Sequence, residues 1–216
     1  MERRRGSVAG VWVRTGVVMG AVLAVSACGH PSGPGAAALT SVPVTTSCLD
    51  VDGHGRPVWA GGPPGTGAAG VANALQEVGN AYPHEVAGVA LCSDGSGADI
   101  YLTAERGAAR AKAVELAGRH PGTVHLVEVP YSLADQLSAM DAIRPLMDAE
   151  PRITGLGPEP WTGGLVIRVV PVSGTFEDIA AQRGPDVADV RARIVAAIGP
   201  GLPVRFERGD GSGVLL

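Results

Sequence analysis

A succession of apolar segments and turns that occurs twice most constrains how this chain can fold. In the first occurrence, Val86 to Leu91 is an apolar, strand-like run followed by the turn Asp94-Gly95-Ser96-Gly97. Ala98 to Thr103 then alternates, with Ile100 and Leu102 on one face. Ala104 to Gly118, rich in Ala, Glu, Lys and Arg, reads as a helix. Pro121-Gly122 punctuates, and Thr123 to Val129 alternates again around Val124 and Leu126. The second occurrence starts at Arg152. Ile153 to Gly157 is strand-like, Pro158 to Gly164 reads as a long turn, and Leu165 to Val170 is an apolar strand. Val187, Val190, Ile194, Val195 and Ile198 mark a helix face that stops at Gly199-Pro200. Leu202 to Glu207 is the last strand, and Pro171 to Gly184 is an insertion peculiar to this copy.

A helix is expected ahead of the first copy, because Val71, Ala74, Leu75, Val78 and Tyr82 fall on one helical face; it ends before Pro83. A linking helix over 132–149 opens on Ser132-x-x-Asp135, a capping-box variant. It carries Leu133, Leu137, Met140 and Ile143, with Pro145 expected to kink or end it. The fold class is therefore α+β, with one or two mainly antiparallel sheets and helices on one face. Its halves, 70–129 and 152–207, are two strand-strand-helix-strand units joined by a helix. Each unit alone buries too little apolar area, so the units should share a core or pair their sheets. The alternative is coincidental spacing within one α+β domain.

The start of the chain bears on location. Arg3, Arg4, Arg5 and Arg14 precede the uncharged apolar stretch Thr15 to Ala27, the order of a secretory signal. The stretch is short for a membrane span, which needs about 20 apolar residues. Val25-Ser26-Ala27-Cys28 resembles the bacterial lipobox. That resemblance implies a signal peptide over 1–27, diacylglycerol on the Cys28 thiol, and cleavage that leaves an acylated (palmitate-bearing) Cys28 as the first residue. The other reading is ordinary secretion with Cys28 a bystander. Residues 29–38 are rich in Gly, Pro, Ser and Ala, as a flexible tether requires. The tether is expected over 28–46, the α+β domain over 47–207 and a flexible tail over 208–216. With lipid on Cys28, Cys48 and Cys92 remain as an even pair in an oxidising compartment, and a disulfide between them is expected. Two buried free thiols would be the alternative. The protein is thus expected at the cell membrane, lipid-anchored on the extracytoplasmic side.

Charge excludes one class of partner. The leader carries four Arg against Glu2, so its removal takes the net charge from −4 to −7. Lys112 is the only lysine. Nucleic-acid binding needs clustered positive charge, so none is expected. Abundant Ala, Gly and Arg beside a single Lys fit a GC-rich, actinobacterial genome.

No complete catalytic or cofactor motif is found. Gly62-Pro63-Pro64-Gly65-Thr66-Gly67 starts like a phosphate loop but continues with Ala68 and Ala69 where Lys and Ser or Thr are needed. Asp50-Val51-Asp52-Gly53-His54-Gly55 starts like a calcium loop, but its twelfth position is Gly61 rather than a bidentate Glu; it reads as a turn within an extended segment over 47–59. The five histidines, His30, His54, His84, His120 and His125, have no metal-ligand spacing. There is no Gly-x-Ser-x-Gly elbow. No cofactor and no metal are expected. Glu159 and Trp161, in the second hairpin turn, form a candidate contact patch.

Tyr82-Pro83-His84-Glu85-Val86-Ala87-Gly88-Val89-Ala90-Leu91, Val129 to Leu137, Ile153 to Pro160 and Leu165 to Val169 together resemble the pro-segments of actinobacterial secreted serine proteases of the alpha-lytic protease and streptogrisin type. The resemblance spans about residues 70 to 207 and implies a small α+β unit that assists folding of, or inhibits, a protease. Two functions are therefore expected: a non-catalytic, lipid-anchored binding module facing a cell-surface or secreted protein, or a pro-segment-like foldase or inhibitor of a separate secreted protease.

Overall fold

A computed structural model describes residues 44–60, 65–103, 106–170 and 185–209. The expected signal peptide, Cys28, most of the tether, the insertion and most of the tail lie outside them.

The order is α1 (Thr66–Ala81), β1 (Val86–Leu91), β2 (Ala98–Leu102), α2 (Ala108–Arg119), β3 (Val124–Glu128), α3 (Leu133–Ala149), β4 (Ile153–Glu159), β5 (Gly164–Val169), α4 (Pro185–Ile198) and β6 (Val204–Arg208). The strands form two three-stranded sheets, β1-β2-β3 and β4-β5-β6. In each sheet the first pair is an antiparallel hairpin and the second pair is parallel. The parallel pairing follows from connectivity: a helix between two neighbouring strands returns the chain to the same end of the sheet. The fold is α+β, and the expected unit gains a leading helix, so each half reads α-β-β-α-β.

The halves match in detail. A register shift falls between Val86 and Gly88 in β1, and between Ile153 and Gly155 in β4. Ile100 sits opposite Leu126 in one sheet, as Ile167 sits opposite Phe206 in the other. A tight approach recurs as well. A Cβ on Gly97 would stand 2.3 Å from the Thr123 carbonyl oxygen, and one on Gly164 would stand 2.3 Å from that of Pro203. Those same carbonyls accept from the next amides, Ala98 and Leu165, at 2.9 Å each. Only glycine lets the backbones come together there.

Helices cover one face of each sheet, as amphipathic periodicity demands. Val71, Leu75 and Val78 of α1 and Ala109 and Ala113 of α2 pack on Val86, Ala98, Ile100, Leu102, Val124 and Leu126. In the second half, Ile143 of α3 and Val190 and Ile194 of α4 pack on Ile153, Leu165, Ile167, Val169 and Phe206. The α3 helix has the expected span, with Pro145 inside it and its end at Ala149. One expectation along it changes, because Leu137 is exposed. The inward position is taken instead by Gln136, which is fully buried. The second hairpin turn is also shorter than expected, because β4 runs through to Glu159. No helix among the described residues is long and apolar enough to cross a membrane.

Candidate functional site

The two sheets differ on the face turned away from their helices. In the first sheet that face is buried. Ala87, Tyr101 and Val129 form a small core with Ala90, Val127 and Trp161. All five residues of β2 are buried, Asp99 among them. The segment 44–60 crosses this face, and Asp99 ties it down. The Asp99 carboxylate accepts from Ser47 Oγ at 2.5 Å, Tyr101 OH at 2.8 Å and the amides of Cys48 and Leu49 at 3.1 and 3.3 Å. A buried carboxylate needs such donors in place of water. Burial raises the Tyr101 hydroxyl well above the ordinary phenol value, so it stays a donor.

The expected disulfide is present. Cys48 and Cys92 are bonded, with a Cα–Cα distance of 4.8 Å. The neighbouring backbone adds to the clasp: the Ser93 amide donates to Cys48 O at 3.1 Å, and Asp50 N donates to Ser93 Oγ at 2.7 Å. Further along, Thr45 covers the edge of β3. Its amide donates to Leu126 O at 3.0 Å, and its hydroxyl accepts from Leu126 N at 2.9 Å.

Beyond the disulfide, residues 50–58 form a ribbon. Val51 and Pro57 pair across it, and Val58 N donates to Asp50 O at 2.8 Å. The turn is an Asx turn, not a metal loop. Asp52 Oδ1 accepts from the amides of His54 and Arg56, and Oδ2 pairs with the Arg56 guanidinium at 2.7 Å. These Arg56 contacts hold the Asp52 carboxyl at about 2.

The contact patch expected at Glu159 and Trp161 is corrected. Glu159 is only 1% exposed. It accepts from Arg205 Nε at 2.5 Å and Thr162 Oγ1 at 2.7 Å, and Arg205 also bonds Glu207 at 2.7 Å. A carboxylate so engaged is a structural counter-charge to Arg205 and presents nothing to a partner. Trp161 is half-buried and donates from Nε1 to Gly55 O at 3.2 Å, so it steadies the ribbon.

Gln136 links the halves, and sequence patterning missed it because a polar residue on an apolar face carries no signal. Its side-chain amide donates to Ala87 O at 3.4 Å, and its carbonyl accepts from Glu159 N at 3.1 Å. One side chain thereby bridges β1 and β4.

Cys48, Cys92 and His125 bring potential metal-binding atoms within 4.8 Å of one another, but each sulfur is bonded to the other, so neither is a thiolate ligand. The Ser47 hydroxyl donates to the Asp99 carboxylate, which also accepts from Tyr101 and the amides of Cys48 and Leu49. Two surface grooves accompany the helices. One, of about 480 Å³, lies between α3 and the α4–β6 turn, beside Tyr131, Ala142, Ile198 and Gly201. The other, of about 390 Å³, lies between α1 and α2, beside Ala74, Tyr82, Leu116 and Arg119. Asp135 and Ser138 also line the first groove, and the Asp135 carboxylate there accepts from the Ser132 amide and hydroxyl of the helix cap.

No protein-family model matches the chain, and no curated protein matches it significantly.

Proposed function

We propose that the protein is a lipid-anchored, extracytoplasmic binding module whose role is non-catalytic. The closed Cys48–Cys92 disulfide carries this reading. It fits an oxidising compartment, and it leaves Cys28, at the lipobox position, as the cysteine outside the pair. The clasp at Asp99 supports it further. A body tied down at the base of its N-terminal segment passes tension from a tether into the sheet rather than unravelling.

Metabolic labelling with palmitate in the native host tests the anchor. The expected result is label on the wild-type protein and none on Cys28→Ser, with mass spectrometry placing acyl groups on an N-terminal Cys28. An uncut leader or a bare cysteine would refute the anchor. A broad hydrolase screen on the purified mature protein tests the non-catalytic role, and turnover of any substrate class that persists through repurification would overturn it.

A further inference from the structure

Exposed apolar surface is concentrated in one place. Among the described residues, the exposed large apolar side chains are Val44, Val51, Val58 and Trp59, all within 44–60, and elsewhere only Leu137. Trp59 is 47% exposed and Val51 48%. Cross-strand pairing of Val51 with Pro57 puts Val51, Pro57 and Trp59 on one face of the ribbon. Pro57 is exposed as well, and Val58 projects from the other face.

The ribbon is held rigidly, so this exposure is not that of a frayed end. The disulfide and Ser93 fix its base, and Ala60 N donates to Ser93 O at 3.0 Å just past Trp59. Trp161 holds Gly55 at the turn. Gly55 has φ 75°, and a Cβ there would stand 3.0 Å from Arg205 Cδ, so the turn is seated against β6. A pre-organised apolar ribbon loses little entropy on meeting a surface.

We propose that this ribbon is a second membrane contact, with Val51, Pro57 and Trp59 entering the headgroup–acyl boundary of the bilayer that holds the lipid on Cys28. The proposal rests on the anchored reading and deepens it. Residues 29–43 separate Cys28 from the first described residue. Fully extended they reach about 50 Å, so the segment 44–60 stays close to the bilayer at high local concentration. Trp suits that depth, its ring apolar and its N–H able to meet headgroups. The ribbon's charges are Asp50 and Asp52 against Arg56, so zwitterionic lipid suffices and anionic lipid is not required.

The test uses the mature protein reconstituted in phosphatidylcholine vesicles containing lipid brominated high on the acyl chains. Once the leader with Trp12 is removed, Trp59 and Trp161 are the only tryptophans. The expected result is a blue shift and bromolipid quenching of Trp59, with the emission left in Trp59→Phe unquenched. In parallel, residues 41–216, which form a compact unit of their own, should sediment weakly with the same vesicles, and Trp59→Asp should lower that partition about tenfold. If Cys28 is acylated but Trp59 is unquenched, the ribbon proposal falls while the anchor stands. If Cys28 is bare, the anchor falls and the 41–216 body decides: a partition lost in Trp59→Asp supports the ribbon, and no partition overturns it. Trp59 shielded from a water-soluble quencher yet not reached by bromolipid would mean a protein partner and would also overturn it.

Discussion

Two buried polar side chains join segments far apart in the chain. Replacing Gln136 with Leu keeps similar bulk but leaves Ala87 O and Glu159 N without their side-chain partners. The expected loss is about 1–3 kcal/mol in chemical denaturation, and a variant as stable as wild type would show that water fills the gap. Glu150 gives a pH signature. Its carboxyl is held at about 2, chiefly by Arg152 and then by Arg193, below its ordinary 4.5. The folded state therefore binds this proton more weakly than the unfolded chain. Its stabilising contribution is complete above pH 4.5 and is lost as the pH falls toward 2. Melting temperatures measured across that window should drop more steeply for wild type than for Glu150→Gln. Neither residue was legible beforehand. Gln136 breaks the apolar stripe it occupies, and Arg193 reaches Glu150 from another helix, a meeting that only tertiary packing arranges.

At the level of elements, the repeat makes a paired prediction. Gly97→Ala and Gly164→Ala each force a Cβ to within 2.3 Å of a carbonyl oxygen, and a backbone atom cannot rotate away as a side chain can. Both should destabilise, by roughly 1–3 kcal/mol or more, and by similar amounts because they hold equivalent positions. A neutral effect at one and a large effect at the other would show the likeness of the halves to be superficial. The strands and helices themselves were largely readable, since periodicities of 2 and 3.6 survive wherever one face is buried. The exceptions have causes. The β2 strand is buried on both faces, so Asp99 and Tyr101 look like an exposed side but are not. On α3, Leu137 faces outward while Gln136 turns inward, because Gln136 finds hydrogen-bond partners on β1 and β4.

For the molecule as a whole, the disulfide spans a sequence separation of 44. A loop of that length implies about 4 kcal/mol of stabilisation by the chain-entropy estimate. Reduction should lower the melting temperature and release the segment 44–60 to proteolysis first, because only hydrogen bonds, to Asp99, Ser93, Leu126 and Trp161, would then hold it; uniform proteolysis along the chain would contradict this arrangement. By itself the sequence determined the α+β class and the succession of strands and helices, because these follow from local periodicity and turn residues; it left the doubled unit beside coincidental spacing, and the Cys48–Cys92 pairing beside two free thiols, for the tertiary structure to decide. It could not decide that Glu159 turns inward to Arg205 while Trp59 stays exposed, or that a glutamine bridges the halves. Burial of a side chain depends on what the rest of the chain lays over it, and no residue carries that information in its own neighbourhood.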